Sequence, residues 1–199
     1  MEAAMRTLAG EYAFTVVWSP FLLRSGIPLD GHAKAPETAT NKRVGTRLKT
    51  VGDEVGINFT GKCDRYPNTL LAHALLEHLH ETAPAVQDAM SERLFHGYFT
   101  DGNSGYPDRT NLVAMAAEVD GVDAAVVGAF LAQAEADGPE TGALARVARK
   151  AAAASRSGIS GVPFFRINGH DAFSGAQGEE TFVRAFRAAA AAAAPHSQQ

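Results

Sequence analysis

The 199-residue sequence predicts an α/β fold, in which a strand is followed by a long helical block and then by a hairpin and a closing helix. Three observations predict it. Residues 14–18 read Phe-Thr-Val-Val-Trp, a β-branched and aromatic run of strand length that stops before Ser19-Pro20. From about residue 36 to about residue 150 the apolar residues recur at steps of three to four, the period of helices. Beyond that block Asn168-Gly169 separates two short apolar runs, a strong local hairpin signal.

Taken in order, the first ten residues read as the end of a helix, with Met5 and Leu8 at helical spacing and Gly10 at the expected C-cap. Within the central block Gly52, Pro67, Pro84, the loop from Asp101 to Pro107, Asp120-Gly121 and Gly138-Pro139 punctuate about six helices. Leu70, Leu71, Ala74, Leu75 and Leu79 form one apolar stripe, and Val86, Met90, Leu94, Phe95 and Tyr98 another; the two are expected to face each other across the turn near Pro84. The hairpin pairs residues 164–167 with 172–174. A last helix starts at about Glu179, places Phe182, Val183 and Phe186 on one face, and runs through seven alanines until Pro195 stops it. The expected organisation is a single domain over residues 1–195, with a helical insertion at about 36–120 and a disordered tail at 196–199.

Composition narrows the function classes. A net charge of -4 and a pI near 6.0 leave no electrostatic footprint for nucleic acid. No apolar run approaches the roughly 20 residues needed to span a bilayer. Residues 1–10 carry Glu2 and Arg6 where a secretory signal would have its apolar core, so a cytoplasmic location is expected. A single cysteine, Cys63, excludes an internal disulfide and a multi-cysteine zinc site, and suits a reducing compartment. Lys62 and Arg65 flank it and favour a thiolate, but without a second thiol in the chain it reads as an inert small hydrophobe. His73, His78 and His80 are spaced by five and two residues, not the three or four a helical metal pair needs. Gly102, Gly105 and the other glycines match no nucleotide-binding pattern. No metal and no cofactor are expected.

The segment Gly158-Ile-Ser-Gly-Val-Pro-Phe-Phe165, with Ile167-Asn168-Gly169 and Ser174-Gly175-Ala176-Gln177 after it, closely resembles the cis-proline loop and hairpin of the DsbA family, in its FrnE-like branch. Trp18 to Leu22 resembles the end of that family's second strand. Pro67-Asn68-Thr69, Ala72-His73 and Glu92 to Gly102, reading ERLFHGYFTDG, resemble parts of its insertion. The resemblance implies a thioredoxin-like fold with a large helical insertion and with its first strand missing. It implies that Gly161, Val162 and Pro163 bind substrate, the backbone of Val162 pairing with an extended peptide like one more strand. On local physics alone Pro163 equally well starts a strand, a position where proline is tolerated.

The departure from the family lies in its chemistry. DsbA-like oxidoreductases carry Cys-x-x-Cys at the start of their first helix, where the helix N-terminus favours a nucleophilic thiolate. Neither cysteine is present, so the chain offers no catalytic residue, and alignment of the motifs places the pair just ahead of Met1, together with the first strand. A central strand cannot be lost without leaving backbone unpaired, so an absent N-terminal segment is the expected explanation. Three functions are compatible with this reading: a thiol-disulfide oxidoreductase acting on an extended peptide or protein thiol or disulfide; a glutathione-dependent relative resembling 2-hydroxychromene-2-carboxylate isomerase or kappa-class glutathione transferase, with serine for the first cysteine; and a redox-silent peptide-binding module. The sequence sets no oligomeric state.

Overall fold

The structure, a computed structural model of the chain, describes residues 1–102 and 107–193. It divides into two compact units. One comprises Met1–Val16 and the chain from Ala154 onward; the other is Val17–Ala153.

In the first unit, α1 (Glu2–Thr7) packs against α8 (Glu179–Ala193). Ala4 and Leu8 are fully buried, and two polar contacts tie the same surfaces: Thr7 Oγ1 donates to Glu179 Oε1 at 2.7 Å and Arg187 pairs with Glu11 at 3.0 Å. The helix ends at Leu8 and not at Gly10, because the amides of residues 8 and 9 already close onto Ala4 and Arg6. The hairpin forms as the sequence predicts. β3 (Phe164–Ile167) pairs antiparallel with β4 (His170–Ser174), and Asn168 and Gly169 both take positive φ, 50° and 81°, as a type I′ turn requires. Phe165 and Phe173 each meet Phe182 of α8 edge-on, at 4.9 and 5.0 Å between ring centroids. Phe14 reaches Phe186, one helical turn further along, at 4.9 Å.

The strand expected at residues 14–18 is not formed as a ladder. Tyr12, Phe14, Val16 and Trp18 are half-buried while the residues between them are exposed, so the period of two is present. The ladder is lacking because a ladder needs a neighbour: β3 and β4 make a two-stranded sheet, and among the described residues nothing hydrogen-bonds to the backbone of residues 13–17.

The second unit is helical, with α2 (Thr46–Glu54), α3 (Leu70–Thr82), α4 (Gln87–His96), α5 (Arg109–Ala116), α6 (Ala124–Asp137) and α7 (Gly142–Arg156), whose last residues run on into the first unit. These six helices agree with the periodicity. Two-residue strands β1 (His32–Ala33) and β2 (Arg65–Tyr66) add a small antiparallel ladder that the sequence does not announce. The main core joins Leu75 and Leu79 of α3 to Met90 and Leu94 of α4, Leu112 and Met115 of α5, and Val127 and Leu131 of α6, so the two stripes do face each other. Phe95 and Tyr98 are the exceptions: Phe95 is 43% exposed and set against the Trp18 ring at 5.5 Å, and Tyr98 faces Lys34 at 4.8 Å. Ala74 turns to a second cluster with Ala134, Leu144 and Val147. Asp108 and Asp123 cap α5 and α6 by accepting amides of the first turn.

The run ERLFHGYFTDG closes α4 as a π-helical turn, Gly97–Asp101, ending at Gly102 with φ 73°. Its glycines permit close approach: a Cβ on Gly97 would lie 2.6 Å from Met115 Sδ, and one on Gly102 would overlap Lys62. Thr60 fastens the neighbouring segment by donating its amide to the Phe99 carbonyl (3.0 Å) and its hydroxyl to the Thr100 carbonyl (2.8 Å). Part of the predicted loop from Asp101 to Pro107, and Pro195 with the tail at 196–199, lie outside the described residues.

One buried amide organises the start of this unit. Gln87 is fully buried; its Oε1 accepts the Trp18 amide at 3.0 Å and its Nε2 donates to the Trp18 carbonyl at 3.0 Å and the Leu76 carbonyl at 3.1 Å. The side chain does for Trp18 what an adjacent strand would do. Replacing it removes the partner of both the Trp18 amide and the Trp18 carbonyl, so Gln87→Leu is expected to lower the unfolding free energy by about 2–4 kcal/mol. Urea unfolding followed through Trp18, the single tryptophan, measures it; an unchanged midpoint would remove this role from Gln87.

Candidate functional site

The loop at residues 158–163 is shaped by the helix before it and the hairpin after it. α7 ends at Arg156, and Gly158 at φ 93° turns the chain out of the helix. The Val162–Pro163 peptide is cis. On the far side of the hairpin Gly175, at φ 82°, donates its amide to the Pro163 carbonyl at 2.8 Å, and Gln177 Nε2 donates to the Ser174 carbonyl at 3.3 Å. The Ser-Gly-Ala-Gln run thus holds the proline loop against the end of β4. Arg166 and Asp171 pair across the strands, and Phe165 meets Phe173 at 5.1 Å beneath them.

Gly161, Val162 and Pro163 therefore come together as one exposed rim. Val162 is 51% exposed, and neither its amide nor its carbonyl has a partner among the described residues. Pro163 has no N–H, and its carbonyl is taken by Gly175, so Val162 is left to offer a donor and an acceptor outward. An added Cβ at Gly161 would meet nothing within 4 Å, so the surface beside Val162 is open.

The other residues weighed from sequence lie in the helical unit. Cys63 is 1% exposed, and its thiol faces the Arg65 carbonyl at 3.4 Å, so the flanking cations of Lys62 and Arg65 do not make it an accessible nucleophile. His73 is half-buried; its Nδ1–H donates to the Thr69 carbonyl at 2.7 Å, and burial holds its pKa below the ordinary value despite that bond and the nearby Glu77. His78 stacks flat on Phe130, 4.0 Å between centroids, and burial lowers its pKa as well. Among the described residues no three His, Cys, Asp or Glu side chains gather as a metal site, and no helix is long and apolar enough to cross a membrane.

The family model of the DSBA-like thioredoxin domain matches residues 1–187. The chain belongs to the DsbA-like thioredoxin family. It is similar to the crystal structure of a probable DsbA oxidoreductase from Streptomyces coelicolor, with a TM-score of 0.61 and 26% identity. That likeness covers 77% of this chain and 62% of the Streptomyces one, so this chain spans less than two thirds of its neighbour's length. No curated protein matches the sequence. The fold is thus the DsbA-like one, α/β with a helical insertion, and with one cysteine this member has no Cys-x-x-Cys within its 199 residues.

The buried imidazole gives this DsbA-like chain a defined acid response. The folded pKa of His73 lies below its unfolded value near 6.5, so the unfolded state binds the proton first. The neutral ring's contribution is complete above about pH 6.5 and is lost as pH falls through the lower folded value. Urea unfolding at pH 7 and pH 5 is expected to show a stability loss on acidification that is smaller in His73→Gln; an identical loss in both would rule out His73 as its source.

Proposed function

We propose that this chain is the greater part of a thiol-disulfide oxidoreductase of the FrnE-like branch, working in a reducing, cytoplasmic setting, whose first strand and Cys-x-x-Cys lie in sequence ahead of Met1. The observation that carries this reading is an open strand position. Residues 12–16 alternate in burial as a strand does, yet the backbone of residues 13–17 is unpaired, and the outer edge of β3 is unpaired too. Both lean on one face of α8, Phe14 through Phe186 and Phe165 through Phe182. Phe14 makes no ring contact with Phe165 or Phe173 among the described residues. One further strand laid between them would bond to both and cover the half-buried rings.

In this reading the supplied strand leads into a helix whose N-terminus carries the two cysteines. The first, as thiolate, attacks a substrate disulfide to give a mixed disulfide and a released substrate thiolate. The second then displaces the remaining substrate thiolate and leaves the enzyme pair oxidised. Gly161, Val162 and Pro163 serve as the substrate-binding rim, with Val162 N–H and C=O pairing to an extended peptide. The probable DsbA oxidoreductase of Streptomyces coelicolor supports the class of reaction by likeness.

The intact mass and N-terminal peptide map of the native protein from its source cells test this reading. A mass above 20.9 kDa, with a Cys-x-x-Cys peptide ahead of Met1, is the expected result, and the longer chain is expected to reduce insulin disulfides while residues 1–199 alone do not. Serine at the first cysteine would move the protein to the glutathione-dependent relatives. A native chain that begins at Met1 and folds stably would overturn the oxidoreductase reading in favour of a peptide-binding module.

A further inference from the structure

The helical unit holds a cationic cavity that the redox reading leaves unused. Eight of the 18 Lys and Arg fall within residues 24–65, against five Asp and Glu. That stretch is therefore +3 in a chain of -4, and the remainder is -7. The β1–β2 ladder and the segment at 58–63 enclose a cavity of about 230 Å³ within it, lined by Lys34, Asn41 and Arg43 and by the rings of Phe59, Tyr66 and Tyr98. No carboxylate lines it among the described residues.

Two of its cations are half-buried and have no anionic partner among the described residues. Lys34 Nζ donates to the Cys63 carbonyl at 3.0 Å and lies 4.8 Å from the Tyr98 centroid and 5.1 Å from that of Tyr66. Arg43 reaches the Gly61 and Lys62 carbonyls through Nη1 at 3.4 Å, while its Nε is buried and bonded to nothing. The approach is built in. Gly61 has φ 67°, and a Cβ there would press to 3.0 Å on Val44 and 3.1 Å on the Arg43 Cβ. A guanidinium held in place by backbone carbonyls, beside a second uncompensated cation, is an arrangement that an oxyanion completes.

We propose that this cavity binds a small organic oxyanion, whose carboxylate or phosphate group is taken by the Arg43 guanidinium and Lys34 Nζ while its body lies against Phe59, Tyr66 and Tyr98. The charge fixes the sign of the ligand, and the rings around it favour an apolar or aromatic body over a bare ion.

The test is a titration of the full chain with benzoate and, separately, with inorganic phosphate, at ionic strength held constant with sodium chloride, following by NMR the backbone amide resonances of Gly61 and Lys62 and, where Arg43 is present, its side-chain Nε–Hε resonance. A saturable shift is expected, reached at lower concentration with benzoate than with phosphate because the rings hold its body. Lys34→Gln is expected to weaken binding at least about tenfold, which is about 1.4 kcal/mol, and Arg43→Gln to abolish it. Lys49→Gln, on exposed α2, should leave it unchanged. If Arg43→Gln fails to fold, Lys34→Gln carries the comparison. A shift no larger than chloride produces, tighter binding of phosphate than of benzoate, or equal affinity in Lys34→Gln would overturn the proposal.

Discussion

Backbone hydrogen bonding is the constraint on which the rest of this chain depends. Every amide and carbonyl along residues 12–18 asks for a partner, and the chain answers only at the two ends of the run, where the Tyr12 amide closes onto the Leu8 carbonyl and Trp18 meets Gln87. Trp18 is satisfied on both sides by the fully buried Gln87, a side chain in the place of a strand. The five residues before it have no such substitute among the described residues. Where the substitute exists, a helical core assembles behind it, since Gln87 also binds the Leu76 carbonyl and opens α4. Where it is absent, a floor of phenylalanines on α8 stays half-buried under an incomplete sheet, with only Phe182 fully enclosed.

The helical unit rests on close packing, and its glycines are the means. Gly97 lets α4 meet Met115, and Gly102 lets the end of the π-helical turn lie on Lys62 and Cys63. These contacts, with Thr60 on Phe99 and Thr100, bring the 58–63 segment in as one wall of the cationic cavity. Arg93 stabilises the same turn by bridging Asp101 and Glu118 at 3.0 and 2.8 Å. The ERLFHGYFTDG run is thus a packing device: each of its unusual residues answers a steric or charge demand.

The range of each interaction decides whether it was legible in the sequence. The hairpin could be read because Asn168-Gly169 and its flanks decide it locally, and α3 through α6 could be read because their stripes repeat within each helix. The run at 14–18 gave the correct period but not the missing ladder, since pairing depends on a neighbour the run does not contain. Gln87 carries no sequence signal of its role, because its partner Trp18 lies 69 residues away. Lys34 and Arg43 carry no motif, because a loop brings them together and only the fold shows that no carboxylate accompanies them among the described residues. The cis Val162–Pro163 peptide followed from the family resemblance, whereas local physics allowed a plain strand start.

The open sheet edge also governs how this chain behaves in a crowd. A row of unpaired backbone groups beside half-exposed aromatic rings is a template that any strand can join, including the same segment of another molecule. On the side of residues 12–18 little resists such joining: that run contains no charge and no proline, the two features that ordinarily blunt an exposed strand. Held at high concentration as residues 1–199, the protein is therefore disposed to sheet-to-sheet aggregation.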